Sequence, residues 1–431
     1  MDKNTQSLFA DTALHIPKVS YKEFTLDNGL HVILARRERI PSVAINTTFH
    51  VGAKDEEPGK SGLAHLFEHL LFEGTANTSN GEFDMLLQER GGESNAYTTM
   101  DITSYYTVVP SNQLEFGLWL DSDRLAGFGV TKHMLEVQKE VVLEEKMTVY
   151  DNVPYGSLEE ESNKRLFPSS NYGKMIIGSA DDIKSVTIDD VKSFWDKYYN
   201  PGNAVLSIAG DIDYTKTEEL VRKYYGELKG NDKPLKEVSQ ADIISKEIRD
   251  IIFDNVQIPG VFMFFLLPKI GSKENYAMKA LNSILSDGES SRLHKRLVYE
   301  KGIASEIDSA VYEMEDVSML FISAYGYNEG NTQEIENQID AVLDEVRRGE
   351  ITDNELTKVK NKIETAFNSR RQTIIGLADK LSGIKTFFGD TNLINTEINF
   401  YLNITRDDLV NTSKNLLGRD QRLVLNYLPK Q

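Results

Sequence analysis

The sequence predicts an α+β fold built from two homologous domains, and three observations carry that prediction. Segments recur at one constant offset: PSVAINTTF at 41–49 and PGVFMFFLL at 259–267 place Pro41 on Pro259 and Val43 on Val261, 218 residues apart. TIDDVKSFW from Thr187 and TRDDLVNTS from Thr405 keep the same offset, as do the β-rich stretches starting at Ala204 and Arg422. Equal offsets at widely separated points mark an internal duplication. The strand and helix patterns do not alternate strictly, which favours α+β over a doubly wound parallel sheet. At 431 residues the chain also exceeds what one core usually holds. We expect domains at 1–228 and 245–431, each a mostly antiparallel sheet packed with helices. A linker is expected at 229–244, where ELKGNDKPLKEVSQ (227–240) is polar and contains Pro and Gly.

Along the chain, MDKNTQSLFADTALHIPKVS reads as a polar lead-in without the basic start and apolar stretch of a secretory signal. FTLDNGLHVIL alternates apolar residues around Asp27-Asn28-Gly29, a hairpin signal. A strand at 43–51, a helix from 63, a strand near 102–109 and helices near 112–126 and 131–149 follow. No run of about 18 apolar residues occurs, so no membrane span is expected.

Composition narrows the chemistry. A net charge of -19 argues against a nucleic-acid partner, because phosphate binding needs a basic footprint. The same charge serves solubility, or an acidic cavity that attracts basic or unfolded peptides. With no cysteine there is neither a disulfide nor a thiolate metal site, so a transition metal must be held by His, Asp or Glu.

Residues 61–75 read SGLAHLFEHLLFEGT. Placed on a helix, Leu63, Leu66, Phe67, Leu70 and Leu71 form one apolar stripe, while His65, Glu68 and His69 fall on the opposite side. Two imidazoles at i and i+4 can face one ion, and zinc suits them while leaving room for a further ligand and a water. Glu68 stands where a general base for that water is needed, in the inverted H-x-x-E-H order of a zinc peptidase motif.

HMLEVQKEVVLEEKM at 133–147 offers the third ligand. Helical phasing sets Met134, Val137, Val141 and Val142 on an apolar face with Glu145 near its middle, whereas Glu136, Glu140 and Glu144 share a solvated face beside Lys139. A carboxylate on a buried face must be paired or bound to a cation, so Glu145 is the better ligand. Gln138, on the same face two turns earlier, is placed to hydrogen-bond the ligands from behind.

These residues resemble the pitrilysin family of zinc peptidases, which includes insulin-degrading enzyme and the mitochondrial processing peptidases. The family carries H-x-x-E-H with a glutamate ligand about 76 residues after the second histidine; His69 to Glu145 is 76. The resemblance implies one Zn2+ per chain held by His65, His69 and Glu145, with Glu68 as base, in a zinc metalloendopeptidase. It extends over VGAKDEEPGKSGLAHLFEHLLFEGT, GGESNAYTTMDITSYY, YDNVPYG and NPGNAVLSIAGDID, from about residue 20 to the C-terminus. It also implies that two such domains form half of a clamshell, and that substrate peptides add as a strand at Gly92–Tyr97, with Gly92, Asn95 and Ala96 as contacts.

Three departures bear on activity. Where many members carry a glutamate seven residues before the metal ligand, this chain has Gln138, which cannot act as a base. The Arg and Tyr that complete the family's active sites, seven apart in a later domain, match Val298 and Ser305 in LVYEKGIAS. Ser283, 218 residues after His65, stands where a second set of ligands would begin. The family meets such a lack by pairing a zinc-bearing subunit with a zinc-less homologue, so a heterodimer with a partner supplying Arg and Tyr is expected; Arg296 or Tyr299 as an internal substitute is the alternative. A non-catalytic peptide-binding or assembly subunit is the rival functional reading. A periplasmic or cell-envelope location is what the resemblance implies, with the cytoplasm as the alternative.

Overall fold

The computed structural model describes residues 17–430 apart from 80, 232, 235–243 and 329–330. Residues 1–16 of the lead-in and most of the expected linker at 229–244 therefore lie outside the described residues. Two sheets organise the rest. The first comprises β1 (Lys22–Thr25), β2 (His31–Arg36), β3 (Ser42–Phe49), β4 (Glu93–Thr98), β5 (Thr103–Pro110) and β6 (Ala204–Gly210), in the order β1-β2-β6-β3-β5-β4. The second comprises β7 (Ile248–Asp254), β8 (Gly260–Pro268), β9 (Ala304–Tyr312), β10 (Val317–Gly326) and β11 (Arg422–Pro429), in the order β7-β11-β8-β10-β9. Pairing is antiparallel except for β2 with β6 and β7 with β11, which occupy the same place in each sheet.

The principal helices are α1 (Leu63–Glu73), α2 (Leu114–Ala126), α3 (Lys132–Lys146), α4 (Leu158–Leu166), α5 (Ile188–Tyr198), α6 (Lys273–Leu285), α7 (Thr332–Arg347), α8 (Asp353–Arg370), α9 (Ile374–Phe388) and α10 (Arg406–Leu416). The duplication is visible down to single caps. Thr187 Oγ1 accepts from Asp190 N–H while the Asp190 carboxylate accepts from Thr187 N–H, and Thr405 with Asp408 repeats the box at the start of α10. The offset is not uniform, however. Phe49 pairs with Thr103 and Leu267 with Ser318, which lowers it to 215 in β5 and β10.

The hairpin closes on Thr25 opposite His31, and Gly29 sits at φ +90°, where a side chain is disfavoured. Strand alternation then sorts the first sheet into two faces. Val32, Leu34, Val43 and Ile45 pack with α1 and α5, while Ile33, Ala35 and Ala44 pack under Leu377, Ala378 and Leu381 of α9. A helix from the second half thus covers the first sheet. Burying Leu377 and Leu381 completely is worth about 1.5–3 kcal/mol each. The first half returns the arrangement: Leu166 of α4, with Phe167 and Tyr172, packs on Phe262, Phe264, Leu423 and Tyr427 of the second sheet.

Two polar devices lock this exchange. Tyr155, at φ +59°, donates its hydroxyl to Ile258 O at 2.6 Å and sets its ring edge-on to Phe262, Tyr325 and Tyr427. Lys54, only 5% exposed, reaches Asp101 at 2.8 Å in its own half, then Glu315 at 2.7 Å and Asp316 at 3.3 Å in the other.

Candidate metal centre

Helix α1 carries the H-x-x-E-H residues. Leu63, Leu66, Phe67, Leu70 and Leu71 are buried against the first sheet, while His65, Glu68 and His69 are only partly covered. Its N-terminus is fixed from outside the helix. Gly62, at φ +88°, has no side chain to cap with, and a Cβ there would fall 2.5 Å from Ile177 O. The buried Glu56 serves instead, accepting from Gly62 N–H at 3.0 Å and Ala64 N–H at 2.9 Å.

Helix α3 crosses α1 and brings Glu145 to the histidines. Its carboxylate lies 3.8 Å from His65 Nε2 and 3.5 Å from His69 Nε2, and the three candidate ligand atoms all fall within 4.8 Å of one another. A tetrahedral zinc with bonds of about 2.05 Å wants ligand atoms about 3.4 Å apart, so the two Glu145 separations are already within a few tenths of an ångström of that spacing and the whole set has at most about 1.4 Å to close. His65 is also prepared for the role: burial, with His69 beside it, pushes its imidazole down to about 4, so the ring is neutral as a metal ligand must be. Donor set and spacing fit zinc.

Glu68 sits beside this trio, and its Oε2 accepts from Thr98 Oγ1 at 2.6 Å. Burial pushes its carboxyl up to about 7, Glu145 adds to the rise and the Thr98 bond opposes it. A dication between the ligands would act with Thr98 and favour the carboxylate.

Three expectations need correction. Val137 and Val141 are 39% and 42% exposed; the buried face of α3 is Met134, Leu135, Gln138, Lys139 and Val142. That face tolerates two polar residues because each has a tertiary partner: Lys139 Nζ donates to Lys184 O, and Gln138 Nε2 donates to Glu73 Oε1 at 2.6 Å. Gln138 therefore braces α3 against the end of α1 instead of backing the ligands. Glu145 is not in the middle of an apolar face either, with its side chain 36% exposed toward the histidines.

The proposed peptide-binding segment is β4, an edge strand of the first sheet. Its free side carries backbone groups available to an added strand. Asn95 is exposed, and its Oδ1 accepts from Ala96 N–H at 2.8 Å, so one amide of this strand is held by its neighbour's side chain. Gly92 lies just before the strand, and a Cβ on it would stand 2.6 Å from Leu87 Cδ1 and 2.9 Å from Val108 O. Close packing alone demands that glycine. Tyr97 donates its hydroxyl to Asp379 Oδ1 of α9 at 2.5 Å. Beyond Thr98 a cavity of about 390 Å³ between the halves is lined by Thr99, Met100, Leu158, Phe264, Tyr312 and Phe321, among others.

Arg296 and Tyr299 are engaged elsewhere. Arg296 Nη2 binds Glu345 of α7 at 2.7 Å, and Tyr299, 60% exposed, lies against the His294 ring. Val298 packs on the second core, and Ser305 Oγ donates to Tyr325 O. Ser283 of α6 donates to Asp287 just beyond the helix; among the described residues the His65, His69 and Glu145 group stands alone as a candidate metal cluster. Thr98, Glu56 and Asp379 were not anticipated. Thr98 and Asp379 act through contacts between residues far apart in the sequence, and Glu56 through a span of six to eight residues that follows neither a helical nor a strand period.

A duplicated two-sheet unit with H-x-x-E-H on a helix of its first half is the frame of an inverted-motif peptidase. Comparison with known proteins agrees: residues 31–179 match the model described as Insulinase (Peptidase family M16), and residues 185–363 that described as Peptidase M16 inactive domain. Zinc protease PqqE of Helicobacter pylori is 31% identical over 366 residues, covering 83% of this chain and 81% of its own. The uncharacterized zinc protease YmxG of Bacillus subtilis is 27% identical over 350 residues, covering 80% and 82%. A crystal structure of a protease from Helicobacter pylori superposes with a TM-score of 0.90 at 27% identity, over 96% of this chain and 100% of that one. The first half of the periplasmic protease PqqL from Escherichia coli has the same fold, with a TM-score of 0.78 at 20% identity over 95% and 92%. The chain belongs to the insulinase family of peptidases, M16.

Proposed function

We propose that this chain is the zinc-bearing subunit of a metalloendopeptidase acting on peptides or unfolded polypeptides. The observation that carries the reading is the convergence of His65, His69 and Glu145 on one point with Glu68 alongside. Bound there, zinc supplies Lewis acidity toward a water and a peptide carbonyl. Glu68 accepts the water's proton and later delivers it to the leaving amine, with Thr98 holding the carboxylate in place. The edge of β4 binds the substrate backbone as an added strand, and alternate side chains provide what selectivity there is. The apolar cavity beyond Thr98 favours a large apolar residue near the cleaved bond.

The active site is completed by a homologous partner subunit that contributes the Arg and Tyr replaced here by Val298 and Ser305. The engagement of Arg296 with Glu345 speaks against a substitute from within the chain. The name of one structural relative as a periplasmic protease supports an envelope location. Metal analysis and peptide cleavage test the reading, with and without a homologue carrying the missing pair. We expect about one zinc per chain, cleavage only in the mixture, and its loss in Glu68→Gln with zinc retained. A chain that binds peptide but cleaves none even with such a partner present would overturn the enzyme reading in favour of the rival, a peptide-binding or assembly subunit.

A further inference from the structure

On the first sheet, away from α1, a cavity of about 630 Å³ lies between the end of β2 and the turn joining α8 to α9. Its lining includes three cations, Lys18, Arg37 and Arg371, beside Asn368, Ser369 and Gln372, and no Asp or Glu among the described residues. In a chain of net charge -19 that is a pronounced local inversion. Arg371 is the central feature. It is 6% exposed, its Nη2 donates to Pro17 O at 2.7 Å, and its guanidinium lies 4.7 Å over the Phe367 ring. Its Nε and Nη1 have no acceptor among the described residues.

A guanidinium does not shed its proton, and a buried one without a counter-charge is costly. Among the described residues no carboxylate pairs with Arg371. Burial and the charge of Arg37 both act against the Arg371 cation, and no carboxylate among the described residues opposes them. The turn also leads into the 15-residue helix α9, whose N-terminal end adds partial positive charge.

From these groups we infer that the cavity is an oxyanion-binding site, separate from the candidate metal centre. The guanidinium fork matches the paired oxygens of a phosphate or a carboxylate, and Asn368, Ser369 and Gln372 offer further hydrogen bonds. The volume falls in the range of about 300–1,000 Å³ typical of small-molecule sites, so the oxyanion is one end of a larger molecule.

The test is thermal unfolding of the full chain in inorganic phosphate, in acetate and in chloride at matched ionic strength, checked by calorimetric titration. A rise of about 2–4 °C over chloride at saturating anion is expected, lost in Arg371→Met and in Arg37→Gln. Arg37 is only half-buried, so the second variant remains informative if the first does not fold. A response to phosphate alone assigns a phosphate-bearing ligand, and a response to acetate a carboxylate-bearing one. No stabilisation over chloride by either anion, or an undiminished effect in Arg37→Gln, overturns the site.

Discussion

Thr98 Oγ1 donates to Glu68 Oε2 across 2.6 Å, joining the last residue of edge strand β4 to the glutamate on α1. The bond links the place where a peptide would be laid down to the group that would move its proton. Thr98→Val keeps the shape and removes the donor. A hydrogen bond to a charged group is worth about 1.5–3 kcal/mol, so kcat/KM should fall about 10- to 100-fold. Zinc content and melting temperature should stay close to wild type. An unchanged rate would mean that Glu68 is oriented by something else.

Glu145 is the only member of the trio contributed by α3, so a metal held there also ties α3 to α1. Binding to the folded state alone stabilises by mass action. Chelation should therefore lower the melting temperature of the wild type by several degrees, roughly 2–4 °C per kcal/mol for each unit of this size. Glu145→Gln should start lower and respond little to chelator. Equal responses in both proteins would remove Glu145 from the ligand set.

How far the sequence could be read depended on the kind of contact. Helix α1 was legible because Leu63, Leu66, Phe67, Leu70 and Leu71, all buried, recur at strict helical spacing with His65, Glu68 and His69 opposite them. Helix α3 was not, because Gln138 and Lys139 are buried on partners, Glu73 and Lys184, that lie far along the chain. Val137 and Val141 then looked like the core and are half exposed. The duplication was legible in the 218-residue offset, but not the exchange of α9 and α4 between the sheets, since an amphipathic helix does not announce which sheet it will cover. Zinc ligation was suggested by spacing alone; the Thr98 and Asp379 contacts required the fold.

Asp379 carries a pH signature. It is partly buried on α9 and accepts from the Tyr97 hydroxyl of β4, and burial pushes its carboxyl above the ordinary carboxylate range although the Tyr97 bond and the Lys380 charge oppose the rise. The sign follows from linkage: a group that binds its proton more tightly when folded loses stability for the protein as pH rises. The loss begins at the unfolded value, about 3.9, and ends once pH has passed the raised folded value. The stability of wild type relative to Asp379→Asn should therefore fall across that window and level off above it, in denaturant titrations at several pH values. A flat difference would show that Tyr97 and Lys380 fully offset the burial.

Lys54 holds the two halves together through charge. Its ammonium is 5% exposed and meets Asp101 of the first half at 2.8 Å and Glu315 of the second at 2.7 Å, with the Tyr172 hydroxyl at 3.1 Å. Asp101, itself 2% exposed, also accepts from Tyr172 Oη and from Glu315 N–H, so its orientation is fixed whether or not the lysine is present. Lys54→Met keeps the stem and removes the charge, leaving Asp101 buried beside Glu315 and Asp316. Breaking a buried pair from one side costs about 3–5 kcal/mol, because the carboxylate left behind stays buried and out of water. The double variant Lys54→Met with Asp101→Asn should recover part of that loss, since the stranded charge is then gone. Equilibrium unfolding of the wild type, both single variants and the double variant measures the coupling. If Lys54→Met costs no more than a surface substitution, the interface rests on Tyr155 and the apolar exchange of helices, and the ion cluster is incidental to it.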